Sequence, residues 1–192
     1  MYDTFQQYLD QKISLSNDEK ELIRSVSILK KLRKKQYLLQ EGDVWKYHAF
    51  ITKGCMRTYA VDDKGLEHII YFGIENWWIG DRESLFTHTP SKLNIDAIED
   101  SEVVLFTNPN FEMICSTIPS FRDMIHAIIS KSLNVNQNRV LSNISKTAEE
   151  KYVDFIQRYA DFAIRIPQSM IASYLGIKPE TLSRIRNGIA RK

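Results

Sequence analysis

Near the carboxyl end, Glu180, Ser183 and Arg184 lie within the run Pro179-Glu-Thr-Leu-Ser-Arg-Ile-Arg186. On a helix such residues share one side, because positions three and four apart are surface neighbours. An arginine fork matches O6 and N7 of guanine, a glutamate can accept from the amino group of cytosine, and a serine can reach a base or a phosphate. The chemistry on offer is hydrogen bonding to base edges rather than bond making. Ser169, Lys178, Thr181, Arg186, Arg191 and Lys192 surround this group and are suited to holding phosphate oxygens. Glu180 and Arg184, four apart, could instead pair with each other.

Two short helices must present these side chains. From Ile166 to Arg186 the spacing fits a helix-turn-helix: Ala172 is the small residue at the crossing, and Gly176 supplies the turn four positions later. Ile171, Leu175, Ile177, Leu182 and Ile185 can form the locking core, with Pro179 in the first turn of the second helix. Charge follows the same division. Residues 163–192 hold six basic and one acidic side chain, a net +5, whereas residues 1–162 hold 20 and 23, a net −3. A basic end on an acidic body suits contact with a polyanion.

The rest of the chain reads as a scaffold. Ser16-Asn-Asp-Glu19 is a capping box, and Leu22, Ile23, Val26 and Leu29 predict an amphipathic helix from 17 to about 30, followed by a solvated basic run, Lys30 to Lys35. From Tyr37 to Phe106, five of the seven glycines punctuate short β-rich runs: Tyr37–Leu39, His48–Thr52, Met56–Val61, Leu66–Phe72, Asn94–Ile98 and Val103–Phe106. Asp62-Asp-Lys-Gly65 is a hairpin signal, so a rolled or closed β domain follows. Asn110 predicts the cap of a short helix through Cys115. Pro119 opens a longer one whose seam, Phe121, Met124, Ile125, Ile128, Ile129, Leu133, Val140 and Ile144, needs a partner. The partner is either a second copy in a two-fold dimer or the chain's own β domain. Thr147-Ala-Glu-Glu150 restarts the chain as a helix with Tyr152, Phe155, Ile156, Tyr159 and Phe162 on its core side, and Ala163–Ile166 predicts a brief strand. Three segments result: a sensor domain at 1–118, a dimerisation helix at 119–146 and a DNA-binding domain at 147–192.

Other chemistries find little support. Cys55 and Cys115 lack metal or disulfide spacing and predict buried free thiols; His48, His68, His88 and His126 show no HxH or HxxxH pattern. Asp81 and Glu83 read as solvated turn residues rather than an acid–base pair, and no nucleophile stands beside a base, so an enzyme is not expected. With no basic, apolar leader and no run of 18 apolar residues, a cytoplasmic, non-membrane protein is expected.

The order of a β sensor, a long helix and a terminal helix-turn-helix carrying Ile171-Ala172, Leu175-Gly176 and Glu180-Thr-Leu-Ser-Arg-Ile185 resembles the Crp/Fnr transcription regulators. That resemblance implies an α+β fold: an N-terminal cyclic-nucleotide-binding-like jelly roll, a dimerisation helix and a C-terminal helix-turn-helix. It also implies a homodimer on near-palindromic double-stranded DNA, with Glu180, Ser183 and Arg184 as base readers favouring a TGA-containing half-site. RNA polymerase and a small-molecule effector are further expected partners. The family usually continues into a β-hairpin wing, whereas this sequence stops at Lys192, so the wing's phosphate contacts are expected to be absent or replaced by Arg191 and Lys192. Lys178 stands at an N-cap position where Ser or Thr would be better. The iron–sulfur type of oxygen sensor is not expected, since no cysteine precedes Cys55. The alternatives are a ligand-sensing module whose terminal helices dock on a protein partner and, more weakly, a cupin-like enzyme.

In the family, a Gly-Glu start and an arginine segment hold the cyclic phosphate. Here Gly80, Asp81, Arg82, Glu83 and Ser84 match the start, but Ser91, Lys92 and Asn94 stand where the arginine belongs. Lysine offers a point charge without the bidentate fork, while Arg82 is a candidate substitute from the other side of the turn. These eight residues are the candidate ligand pocket, with Trp77 and Trp78 either above it or packed in the core. No cofactor is expected, and an effector, if there is one, is not cyclic AMP. Calorimetry is expected to show no binding of cyclic AMP at micromolar concentrations; binding there would overturn this expectation.

Overall fold

The computed structural model describes residues 2–189, apart from the side chains of Asp161 and Phe162. Helix α1 (Tyr2–Lys12), which the sequence reading passed over, buries Tyr2, Phe5 and Leu9 along one face. Helix α2 (Asn17–Ser25) begins at the expected capping box, where the Glu19 amide donates to the Ser16 hydroxyl (3.3 Å) and the Ser16 amide to the Glu19 carboxylate (2.7 Å). It ends five residues before the expected limit. The Ser25 and Ser27 hydroxyls turn back onto the carbonyls of Leu22 and Arg24, each at 2.8 Å, and so compete with further helical bonds. Strand β1 (Ile28–Leu32) therefore takes up the first lysines of the basic run.

The remaining strands are β2 (Tyr37–Leu39), β3 (Tyr47–Lys53), β4 (Met56–Val61), β5 (Glu67–Gly73), β6 (Trp78–Ile79), β7 (Asn94–Ala97) and β8 (Ser101–Thr107). All pairings are antiparallel, forming one sheet in the order β1-β8-β3-β6 and a second in the order β2-β7-β4-β5. This is the expected jelly roll. Most edges differ from the sequence reading by one or two residues, and β6 is too short to leave a pattern. At the β4–β5 hairpin, Gly65 takes φ +78 while the Asp62 carboxylate accepts from the amides of Lys64 and Leu66, both at 2.9 Å.

Three cores hold the molecule together. Leu39, Ile51, Met56, Ile95, Val103 and Leu105 fill the space between the sheets. An aromatic cluster of Phe5, Phe50, Trp78, Phe106 and Phe111 packs α1, α4 (Asn108–Thr117) and the start of α5 (Pro119–Ser145) outside the first sheet. Asn110 lies inside α4 rather than capping it, since Thr107 already occupies the cap position and Pro109 the first turn. Cys55 is fully buried, which pushes its thiol up to about 12, whereas Cys115 is only half-buried.

The third core joins Cys55, Tyr59, Ile69 and Phe72, outside the second sheet, to α6 (Ala148–Ala163), α7 (Gln168–Leu175) and α8 (Pro179–Ile189). The capping box at Thr147 starts α6: the Glu150 amide donates to the Thr147 hydroxyl (3.3 Å), and the Thr147 amide to the Glu150 carboxylate (2.8 Å). The expected strand at 163–166 does not form. Instead α6 runs through Ala163, and the following turn leaves Ile164 89% exposed and swings Arg165 onto the β roll. There Arg165 grips the Glu75 carboxylate with two bonds of 2.9 Å and also bonds to Glu99. Ser173 of α7 accepts from the Ile69 amide (3.0 Å) and donates to the Glu67 carbonyl (2.8 Å), fastening α7 to the edge strand β5.

Burial alone would raise the Glu75 carboxyl, but the Arg165 guanidinium and the Gly54 amide outweigh it and hold the group below the ordinary glutamate value. A depressed folded value means that this contribution is complete above the ordinary range and disappears as pH falls through the folded value. Arg165→Ala is therefore expected to lower urea-unfolding stability by about 1–2 kcal/mol near neutrality. The difference from the parent protein should shrink below about pH 4. A difference that stayed constant down to acid pH would argue against the Glu75 pair.

Candidate nucleic-acid interface

Helices α7 and α8 meet at Gly176, which adopts φ +66, ψ +34, the left-handed conformation that suits glycine. The Ile177 amide reaches back to the Ala172 carbonyl (3.0 Å), closing the turn. Ile171, Ala172, Leu175 and Leu182 are buried between the two helices, α6 and the sheet, while Ile177 and Ile185 are half-buried. The Lys178 carbonyl accepts from the amides of Thr181 (3.0 Å) and Leu182 (3.1 Å), so Lys178 does cap α8, with Pro179 as the first helical residue.

With that face buried, Glu180, Ser183, Arg184 and Arg186 are exposed together on α8. Thr181 is half-buried, and its hydroxyl lies 3.4 Å from Arg184 Nη2. Among the described residues Glu180 and Arg184 form no ion pair, and both are exposed. Ser169 and Lys178 are exposed beside them. A cavity of about 330 Å³ runs between the start of α7 and this face, lined by Gln168, Pro179, Leu182, Ser183, Arg186 and Asn187. Arg191 and Lys192 lie outside the described residues.

Sequence reasoning counted Arg165 among the basic groups of the terminal segment, yet its charge is neutralised by two glutamates on the β roll. It also missed Arg139 on α5, which donates to the carbonyls of Ile69 (3.1 Å), Ile70 and Tyr174 (3.2 Å) and lies 4.2 Å above the Tyr174 ring. The only sequence signal was the polar interruption of the apolar seam at Asn134–Arg139.

The eight residues of the candidate ligand pocket separate into two sets. Asp81, Ser84, Ser91 and Asn94 are buried and bonded at close range. Asp81 caps α3 (Arg82–Thr87) through the amides of Glu83 (3.0 Å) and Ser84 (3.3 Å), and accepts the Ser91 hydroxyl at 2.7 Å. Ser84 accepts from the Trp45 amide (2.9 Å), and Asn94 from the Glu41 amide (3.0 Å). Gly80 is pressed against Trp45, whose Nε1 would stand 2.8 Å from any added Cβ. Arg82, Glu83 and Lys92 face solvent. Arg57, a buried arginine on the second sheet, is neutralised by Asp96 and Glu67. Trp78 belongs to the aromatic core and Trp77 meets Tyr159 at 6.1 Å. Among the described residues no three His, Cys, Asp or Glu side chains gather as a metal site, and no helix is long and apolar enough to cross a membrane.

Comparison with known proteins agrees with this architecture. Residues 29–117 match the cyclic nucleotide-binding domain family. The chain is 22% identical over 165 residues to the transcriptional activator protein Anr of Pseudomonas aeruginosa, covering 80% of this chain and 67% of that protein. It is 26% identical over 167 residues to the fumarate and nitrate reduction regulatory protein of Escherichia coli K12, covering 81% and 66%. The chain thus spans about two thirds of the length of these relatives. Among solved structures, FixK2 from Bradyrhizobium japonicum superposes with a TM-score of 0.73 at 21% identity, covering 86% of this chain and 85% of that one. A CooA mutant from Carboxydothermus hydrogenoformans gives 0.73 at 18% identity, covering 94% and 82%. With the matched domain, the Fnr-type relatives and the shared fold in hand, residues 29–117 belong to the cyclic nucleotide-binding domain family, and the chain as a whole is similar to transcription regulators of the Crp/Fnr type.

Proposed function

We propose that this chain is a DNA-binding transcription regulator that binds a near-palindromic site as a homodimer. Glu180, Ser183 and Arg184 read base edges, while Ser169, Lys178, Thr181 and Arg186 hold phosphates, together with Arg191 and Lys192. The observation that carries this reading is the exposed polar face of α8, which is free because the opposite face is locked into α6, α7 and the β roll. Relatives named as transcriptional activators support it. The dimer is supported by α5, whose first half packs on its own β roll while Leu133, Val140, Leu141 and Ile144 stay 58–81% exposed. An apolar stripe of that kind suits a second copy of the helix. A cytoplasmic location and contact with RNA polymerase go with this reading.

Control by cyclic AMP is not part of the proposal. Asp81 already accepts three hydrogen bonds from its own surroundings, and Ser91 and Lys92 stand in place of an arginine fork.

Quantitative binding to a panel of palindromic duplexes tests the proposal. The protein is expected to migrate at twice the chain mass and to bind with a steep salt dependence. Arg184→Ala should relax the preference at one base position per half-site at a cost of about 1–3 kcal/mol, whereas Arg186→Ala should weaken all sequences evenly and reduce the salt slope by about one per subunit. An even loss in Arg184→Ala would remove its assignment as a base reader. Absence of salt-dependent retention would favour terminal helices that dock on a protein.

A further inference from the structure

Between the second half of α5 and α6 lies a groove of about 240 Å³, closed at one end by Tyr174 and Leu175 of α7. Its floor is apolar and aromatic, with Phe155 buried and Tyr159 beside it, but its charge is one-sided. Among the described residues Arg139, Lys146, Lys151 and Arg158 line it from the two helices and their junction against one carboxylate, Asp154, which pairs with Lys146. Lys151 reaches the Asn143 carbonyl (3.3 Å), and Arg158 stands exposed at the rim.

Arg139 is the unusual member. Arg57 and Arg165 each meet two carboxylates, whereas among the described residues Arg139 meets none. Its Nη groups bond to neutral carbonyls, and its buried Nε has no partner among the described residues. A guanidinium removed from water without a counter-charge is costly, and a bound anion offsets that cost.

Most of the groove also lies away from the face that a second α5 would cover, with Leu141 on the border between the two. With about 100° between successive residues, Leu133, Val140 and Ile144 lie within roughly 40° of one another, while Val135, Arg139, Ser142 and Lys146 cluster some 150° away round the helix. Its basic side, with Arg139 and Lys146, therefore stays within one chain when the apolar stripe is occupied.

We propose that this groove binds a small amphipathic anion, with a phosphate, sulfonate or carboxylate set between Arg139, Lys151 and Arg158 and an aromatic body lying on Phe155 and Tyr159. Such a ligand joins the long helix to the helix-turn-helix, at a place separate from the residues of the cyclic-nucleotide-type pocket. The proposal goes beyond DNA reading and does not depend on it.

Calorimetric titration of the full chain with phenyl phosphate, in low salt and without DNA, tests it. Saturable binding of one molecule per chain is expected, weakened roughly tenfold by Lys151→Ala/Arg158→Ala, neither of which is a core residue. Arg82→Ala and Arg186→Ala should leave the affinity unchanged. No saturable binding at millimolar concentrations would overturn the proposal. So would binding that the double variant leaves intact, or a loss that follows Arg82→Ala or Arg186→Ala instead, since these place the anion in the sensor pocket or on the DNA face. Because no DNA is present, failure of this site and failure of the DNA-reading assignment give separate results.

Discussion

Helices of 8 and 11 residues are too short to be stable alone in water, so α7 and α8 depend on a surface against which Ile171, Ala172, Leu175 and Leu182 can be buried. The two helices supply only part of that surface. The rest comes from α6 and the outer side of the second sheet, through Tyr59, Ile69 and Phe72. Burying one side of α8 decides what the other side presents, and Glu180, Ser183 and Arg184 face water as a consequence. Apolar contact by itself is non-directional and would tolerate sliding. The clasp of Arg165 on Glu75 and the insertion of Ser173 into the β5 edge add directional bonds that fix one orientation.

What the sequence shows clearly is whatever is encoded locally. Both capping boxes, the Asp62–Gly65 hairpin, the long helix from Pro119 and the Gly176 turn follow from residues within four positions of one another. Ambiguity arises where two local patterns overlap. Val26 and Leu29 continue the helical spacing of Leu22 and Ile23, yet two serine hydroxyls and an open sheet edge beside β8 turn the chain into β1. Tyr2, Phe5 and Leu9 carry helical spacing too, but three apolar residues in a polar stretch give a weak signal until Phe50 and Trp78 are seen around them. The candidate reading residues were legible because a helix-turn-helix is nearly all local. The partners of Arg139 and Arg165 were not, since they lie 35 to 90 positions away in sequence.

Charge also means something different once it is placed. The terminal segment reads as uniformly basic, but Arg165 is turned inward and neutralised, so fewer cations remain to meet a phosphate backbone. In the β roll the reverse holds, because Asp81 looks like a solvated turn carboxylate in the sequence and is a buried cap in the structure. Its bonds tie α3 to Ser91, so any ligand entering there has to compete with hydrogen bonds already made.

Helix α5 has two unlike sides: Arg139 holds the chain's own β5 and α7 by carbonyl bonds, and the apolar stripe of Leu133, Val140 and Ile144 lies far round the same cylinder. Such a rod is held to its own chain on one side only. A guanidinium carried about 6 Å from the axis moves roughly 2 Å for each 20° of turn, which is enough to separate it from oxygens near 3 Å. The attachment of the helix-turn-helix at its Tyr174 end is thus sensitive to the rotational setting of α5, because a small turn without any bending would break the Arg139 bonds.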